Sequence, residues 1–504
     1  MNSIRRVCIA LFALLAAGFA LVGCQKDLFP TNKLNANNAL RSFKDARRFS
    51  DGFLNSFRYR LCGSYYTTAD IQSDLLRPAV DFGNRRGEVA DWTFRSDAGS
   101  MSGIYQGYYG ALVDINYYIE HCAEITLDPL EKPKILGRQD STLHEFLADA
   151  HFLRAFYYHE LALRYSNTYH PEELCVPLVQ KFDILAKTPR ATQKQVFDFI
   201  LSELDLAQKE MEAAGYGPST EDVSASWITP DAITALRARV CLTMGNYPEA
   251  SKAALAVMAS NAGYALESNA ENFQYMWHED ERNAEFLMML AANKDDEKPN
   301  SMGSIAGSYD ASTDSYTPDF IPTEELLKLY DQTKDIRFKV FFRQVPVRLQ
   351  GGKTMPNVWI CGKFPGAGDL NQSGETQVAY NRPKPLRLAE MYLIAAEAFF
   401  QNGQTADALA YLNDLRTARG LDELTAVTLK DIQDERLREM VFEGTRLWDL
   451  RRWNMPVVRE KTTSNVISAG YRDRFERPAG DYRFVWPIPN NDVIIDGVQQ
   501  NPGY

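Results

Sequence analysis

The chain states one pattern twice, and that pattern requires helices that touch. Residues 230–259 read as helix, break, helix: Pro230 suits a first helical turn, Gly245-Asn246-Tyr247-Pro248 interrupts, and Glu249 to Met258 resumes. Residues 385–418 repeat it, with a helix through Arg387–Gln401, a break at Asn402-Gly403 and a second helix over Thr405–Arg419. In each pair an alanine stands seven residues before the glycine (Ala238, Ala396) and another five after it (Ala250, Ala408). Side chains this small at fixed offsets let the helices of a hairpin approach closely. A third, less regular pair is 141–165 with 193–211. Phe146, Ala150, Leu153, Tyr157 and Leu161 recur on one face of its first helix, and Thr192 can cap its second.

These pairs imply a mainly α fold: a tetratricopeptide-like helical-repeat scaffold of stacked hairpins, with a plain helical bundle as the alternative. Further helices are expected over 39–61 and 104–124, the latter with Ile104, Tyr108, Leu112, Ile115 and Ile119 on one face. Residues 62–103, rich in Gly, Ser, Thr and Asp, read as loop with short strands. Residues 268–382 carry little helical period outside 323–331. A loop-rich insertion of that length in a helical frame is usually functional. Residues 434–453 read as one charged helix. Glu435, Arg438 and Glu439, and then Glu443 and Arg446, stand at helical spacing between Leu437, Met440, Val441, Leu447 and Trp448. That interleaving points to a structural helix with partly buried ion pairs.

The N-terminus reads differently. Arg5 and Arg6 precede an uncharged apolar stretch, Val7–Val22, then Gly23-Cys24 and the polar Gln25-Lys26-Asp27. The stretch is shorter than the roughly 20 residues of a transmembrane helix, so it reads as a secretory signal over residues 1–23. Leu21-Val22-Gly23-Cys24 resembles the bacterial lipobox, which implies cleavage before Cys24, acylation of its thiol and a lipidated tether over 24–38. Lys26-Asp27 resembles the charged tag of surface-exposed lipoproteins of Bacteroidetes. With 66 acidic and 55 basic residues the net charge is −11, an unfavourable balance for nucleic acid. The five other cysteines after Cys8 and Cys24 (Cys62, Cys122, Cys175, Cys241, Cys361) are scattered and lack CxxC spacing, so neither a disulfide framework nor a metal site is indicated.

The most specific segments lie in the last third. Leu386-Arg387-Leu388-Ala389-Glu390-Met391-Tyr392-Leu393-Ile394-Ala395-Ala396-Glu397-Ala398 resembles a hallmark helix of the SusD/RagB family of nutrient-uptake lipoproteins. Residues 435–453, ERLREMVFEGTRLWDLRRW, resemble its second strong motif. Trp486-Pro487-Ile488-Pro489 and the closing Gln500-Asn501-Pro502-Gly503-Tyr504 resemble its usual ending, and Arg190-Ala191-Thr192 before a helix also matches. Ser166-Asn167-Thr168-Tyr169-His170-Pro171 departs from the turn family members carry there. The resemblance implies a SusD-like domain over 39–504 on the outer face of the outer membrane. It implies capture of oligosaccharides, or of peptides in some branches, for a SusC-like TonB-dependent β-barrel transporter. A helical-repeat scaffold of the cell envelope is a further alternative.

No G-x-S-x-G, H-E-x-x-H or G-x-x-x-x-G-K-[ST] motif is present. His144 and His151 share a helix but stand about 10 Å apart along it, too far for one metal ion. The expectation is therefore a binding protein and not an enzyme, without cofactor. A pyranose offers C–H groups that pack on an aromatic face and hydroxyls that need polar partners. Loop residues with those properties are Arg77 and Trp92, Tyr65 and Tyr66, Trp277, and Tyr309 with Tyr316 in the insertion. Trp92 together with an insertion aromatic is expected to form the platform.

Overall fold

The computed structural model describes residues 39–125, 132–183, 185–216, 223–295, 297–370 and 379–504, with side chains omitted for 132–140 and 350. The signal, Cys24 and the tether lie outside these residues.

Helix starts are set by side chains that accept from exposed N–H groups. Ser42, Thr192 and Thr428 each close a capping box, opening α1 (Phe43–Arg60), α5 (Gln193–Ala213) and α11 (Leu429–Met440). Thr229 accepts from the Ala232 N–H with Pro230 in the first turn of α6 (Pro230–Thr243). The remaining principal helices are α2 (Ser64–Gln72), α3 (Gly99–His121), α4 (Lys132–Tyr165), α7 (Tyr247–Met258), α8 (Ala270–His278), α9 (Leu388–Gln401), α10 (Thr405–Ala418) and α12 (Arg446–Arg452).

The hairpins form as the repeats require. Helix α4 packs on α5, α6 on α7 and α9 on α10, while α5 meets α6 and α7 meets α9, so the pairs stack. Ala238, Ala250, Ala396 and Ala408 are all fully buried at these contacts. Helices α1 and α3 extend the block on α4, where Phe57 meets Phe156 edge-on at 4.9 Å and Phe53 meets Tyr118 at 5.4 Å.

Two local expectations need correction. Residues 64–72, read as loop, are helical: Tyr65, Thr67, Thr68, Ala69, Asp70, Ile71 and Gln72 are buried. Tertiary burial there overrides a weak local preference. Residues 434–453 are two helices. The chain turns at 441–445, where Phe442 (φ 64°) and Gly444 (φ 72°) take the left-handed conformation. A Cβ on Gly444 would come within 3.0 Å of the Tyr66 Cα, so only glycine lets the turn sit on α2.

The insertion folds into short strands: β2 (Ser308–Asp310), β3 (Ser315–Thr317), β4 (Phe320–Pro322), β5 (Phe342–Arg348) and β6 (Thr354–Cys361). Four make one sheet in the order β2-β3-β5-β6, with β3 and β5 parallel and the other pairs antiparallel. Strand β4 instead pairs antiparallel with β1 (Leu76–Pro78), placing Arg77 opposite Ile321. Val345, Val347, Val358 and Ile360 bury one face of the sheet against Ala79, Ile321, Val466 and Ile467.

An ionic network joins insertion to scaffold. Arg337 meets Asp335, Glu435 and Glu439 at 2.8, 2.7 and 3.0 Å. Arg387 meets Glu285, Glu439 and Glu443 at 3.2, 2.8 and 2.7 Å, and Arg419 meets Glu285 at 2.7 Å and Glu439 at 3.0 Å. Lys363 reaches Glu443 at 2.6 Å. All of these groups are buried except Glu443, which is partly exposed.

Candidate functional site

A cleft of about 360 Å³ opens where the insertion meets the β1 region. Strand β6 is an edge strand and forms one wall; β4 with the following 323–327 forms the floor, and residues 462–467 form the far wall. Ile321, Val358 and Ile467 make the base apolar, and the half-buried Trp359 closes one side. The Trp359 ring is held edge-on against Phe338 at 5.0 Å. Glu324, Glu325, Asn357, Thr462 and Ser464 supply polar groups around it, with Thr462 donating to the Glu324 carboxylate at 2.8 Å. An apolar surface with an aromatic face and a few oriented polar groups is the composition a carbohydrate ring requires.

Arg77 lines the cleft, but its guanidinium is not free for ligand. It is 3% exposed and donates to the backbone carbonyls of Tyr471, Glu460 and Asp473. Burial pushes its pKa down, and Glu325, Glu324 and Glu460 draw it back up. Arg77 thus staples the 460–473 segment against β1 and positions the cleft's far wall.

Trp92 departs furthest from expectation. It is fully buried, its Nε1 donates to the Gln72 carbonyl at 2.7 Å, and its ring meets Phe484 edge-on at 4.9 Å. A ring with no exposed face cannot stack on a sugar, so the expected Trp92 platform is not formed. Trp277 is likewise core, 1% exposed between Phe286, Phe341 and Phe364, with Lys363 over its ring at 4.4 Å. Tyr65 is buried against Tyr108 at 5.2 Å. Tyr66 is mostly buried beneath Gly444, and burial raises its phenol well above the usual value.

Tyr309 and Tyr316 keep partly exposed rings. They face each other across β2 and β3 at 5.0 Å, with the Arg343 guanidinium 4.4 Å over Tyr316 and the Tyr309 hydroxyl donating to Asp314 at 2.9 Å. Of the sequence candidates, the structure thus places Arg77 at the cleft and leaves Tyr309 and Tyr316 outside it. The tyrosine pair lies toward the β2 edge of the sheet and the cleft at its β6 edge.

Trp359 was not among the sequence candidates. Its signal is the period-two alternation of Val358-Trp359-Ile360, which sends the ring to the face opposite two core residues. Pro356 and Gly351-Gly352 hide that strand in a stretch that reads as loop. Among the described residues no group of three or more His, Cys, Asp or Glu is placed to hold a metal ion. No described helix is long and apolar enough to cross a membrane.

Residues 337–504, which carry α9 to α12 and much of the ionic network, match the model of the SusD family. The helical frame agrees with a SusD superfamily protein from Bacteroides thetaiotaomicron at a TM-score of 0.74 and 22% identity, covering 92% of this chain and all of that one. Its C-terminal third thus matches the SusD/RagB family in sequence, and the chain as a whole has the fold of that family's solved structures. Among SusD-family relatives, the SusD-like protein P38 of Formosa agariphila is 23% identical over 359 residues, which span 62% of this chain and 67% of that protein. The starch-binding protein SusD of Bacteroides thetaiotaomicron is 34% identical over 122 residues, 23% of this chain and 21% of that one. The family's fold thus accounts for the mainly α, tetratricopeptide-like scaffold.

Proposed function

We propose that this SusD-family chain is a cell-surface lipoprotein that captures an oligosaccharide in the β4–β6 cleft and passes it to a TonB-dependent β-barrel transporter. The carrying observation is Trp359, an aromatic face in an apolar cleft rimmed by carboxylate, amide and hydroxyl groups. The relative named for starch binding supports the ligand class. Cys24 would hold the protein to the outer membrane through lipid, with residues 25–38 as its tether. Tyr309 and Tyr316 would extend the contact surface for a longer chain. The site binds and releases; no arrangement in it favours turnover.

One observation favours a second ligand class. Strand β6 is an edge, and its unpaired backbone groups line the cleft, so an extended peptide could add as a further strand.

Calorimetry with neutral oligosaccharides of several backbones, and with a peptide library, separates the two. The best oligosaccharide is expected to bind folded Trp359→Ala at least about tenfold more weakly, about 1.4 kcal/mol. Equal affinity of wild type and Trp359→Ala would sink the cleft as the site. Tight peptide binding without any oligosaccharide binding would replace the glycan reading.

A further inference from the structure

A larger cleft, about 660 Å³, lies at a second seam, where the 167–174 segment, the end of α12, residues 480–485 and the C-terminal 499–502 converge. Two arginines line it without a carboxylate partner among the described residues. Arg451 donates to the carbonyls of Phe484 at 3.1 Å and Leu163 at 2.8 Å, and its Nε is buried with no partner. Arg190 donates to the carbonyls of Cys175, Gln499, Leu174 and Tyr165. A guanidinium has five N–H donors, so Arg190 keeps one and Arg451 three that no described residue fills.

The contrast with the neighbouring arginine is sharp. Arg452 is matched by Glu397 and Asp449. Burial pulls Arg451 down to about 9, with only the Cys175 thiol opposing it, and lowers Arg190 as well. A partly buried cation without a counter-charge bears part of the desolvation cost uncompensated, and an anion entering the cleft would offset it. The two acids of the lining are placed otherwise. Asp481 accepts from the Arg483 N–H at 2.9 Å, and Glu173 is exposed to solvent. Beside the arginines stand Tyr482, half-buried with the Arg483 guanidinium 4.3 Å over its ring and Tyr504 edge-on at 5.0 Å, and the exposed amides of Asn454 and Gln499.

We propose that this cleft binds an acidic sugar, with the carboxylate between Arg190 and Arg451 and the ring against Tyr482. Planar carboxylate recognition suits the guanidinium fork, and the ring and amides suit a pyranose with its hydroxyls. The site is independent of the β4–β6 cleft.

The test is calorimetry on the full mature chain with digalacturonate, neutral galactobiose and acetate. Digalacturonate is expected to bind at least about tenfold more tightly than either control, and more weakly as salt rises. Asn454→Asp adds a negative charge at an exposed lining position and is expected to weaken digalacturonate about tenfold. Arg451→Met is expected to abolish binding and Arg451→Lys to restore part of it. Should Arg451→Met fail to fold, Asn454→Asp and Tyr482→Ala decide. No binding, equal binding of galactobiose, acetate binding as tightly as digalacturonate, or an unaffected Asn454→Asp would each overturn the proposal. Trp359→Ala is expected to leave digalacturonate affinity intact. If it abolishes that affinity, the acid binds in the first cleft and this site falls while the reading of the first cleft stands.

Discussion

Asp70 shows how one buried side chain ties stability to pH. Its carboxylate accepts from the Gly444 N–H at 3.2 Å, and its other oxygen has no hydrogen-bond partner. Burial pushes the carboxyl up to about 8, against the Gly444 N–H, with Glu443 adding to the rise and Lys363 and Arg164 opposing it. The folded state therefore holds this proton more tightly than the unfolded chain does. The stability so gained is complete below the ordinary aspartate pKa of about 4 and drains away as pH rises through about 8. Asp70→Asn removes the titration. Urea unfolding from pH 4 to pH 9 is expected to show wild type losing on the order of a few kcal/mol relative to Asp70→Asn. Parallel curves would refute the assignment. The two tryptophans make a complementary point. Trp92 and Trp359 have the same ring, yet one is sealed beneath Phe484 and the other half-open at a strand edge. Their surroundings, not their residue type, decide which can meet a ligand.

At the scale of elements, α11 acts as an ionic spine. Glu435 and Glu439 project into a cluster of arginines from three other segments: Arg337 of the insertion, Arg387 before α9 and Arg419 after α10. Burial alone would raise Glu435, but Arg337 and Arg438 outweigh it and hold its carboxyl at about 2. Its contribution to stability is thus present above the ordinary glutamate pKa and lost as pH falls toward about 2. Glu439→Gln leaves Arg337, Arg387 and Arg419 buried with a charge too few. It is expected to destabilise the fold by about 3–5 kcal/mol in urea titrations at pH 7. A loss under about 1 kcal/mol would mean that the network's remaining acids compensate. Sequence spacing identified α11 as structural from its interleaved Leu437 and Met440. It did not identify the partners, because Arg337, Arg387 and Arg419 lie from 20 to about 100 residues away and meet only on folding.

For the whole molecule, the stacked hairpins form the frame and the insertion carries the cleft. The β1–β4 pairing and the ionic network hold the two together. The lipid anchor proposed at Cys24 is tested on the whole chain. Cys24→Ala is expected to move the protein from the outer-membrane fraction to the soluble fraction of cells lacking the partner transporter. Retention in the membrane would count against a lipid anchor.

Much of the frame is local and so was legible in residue order. Period-3.6 apolar faces, the cap at Thr192, Pro230 in a first turn, and the buried small residues at Ala238, Ala250, Ala396 and Ala408 act within a turn or between adjacent helices. The family motifs lie in the same segments, which made family and fold class readable together. Helix α2 and the break at Gly444 were not readable, because each exists through the other: the turn needs the Tyr66 backbone beside it. The candidate site is non-local in the same way. Strands β4 and β6, Arg77 and the 462–467 wall are separated by up to nearly 400 residues, and only their packing creates a cleft. Periodicity tells which side of an element faces inward; the other elements decide whether a given aromatic is closed over or left open, and that choice put Trp359 rather than Trp92 at the surface.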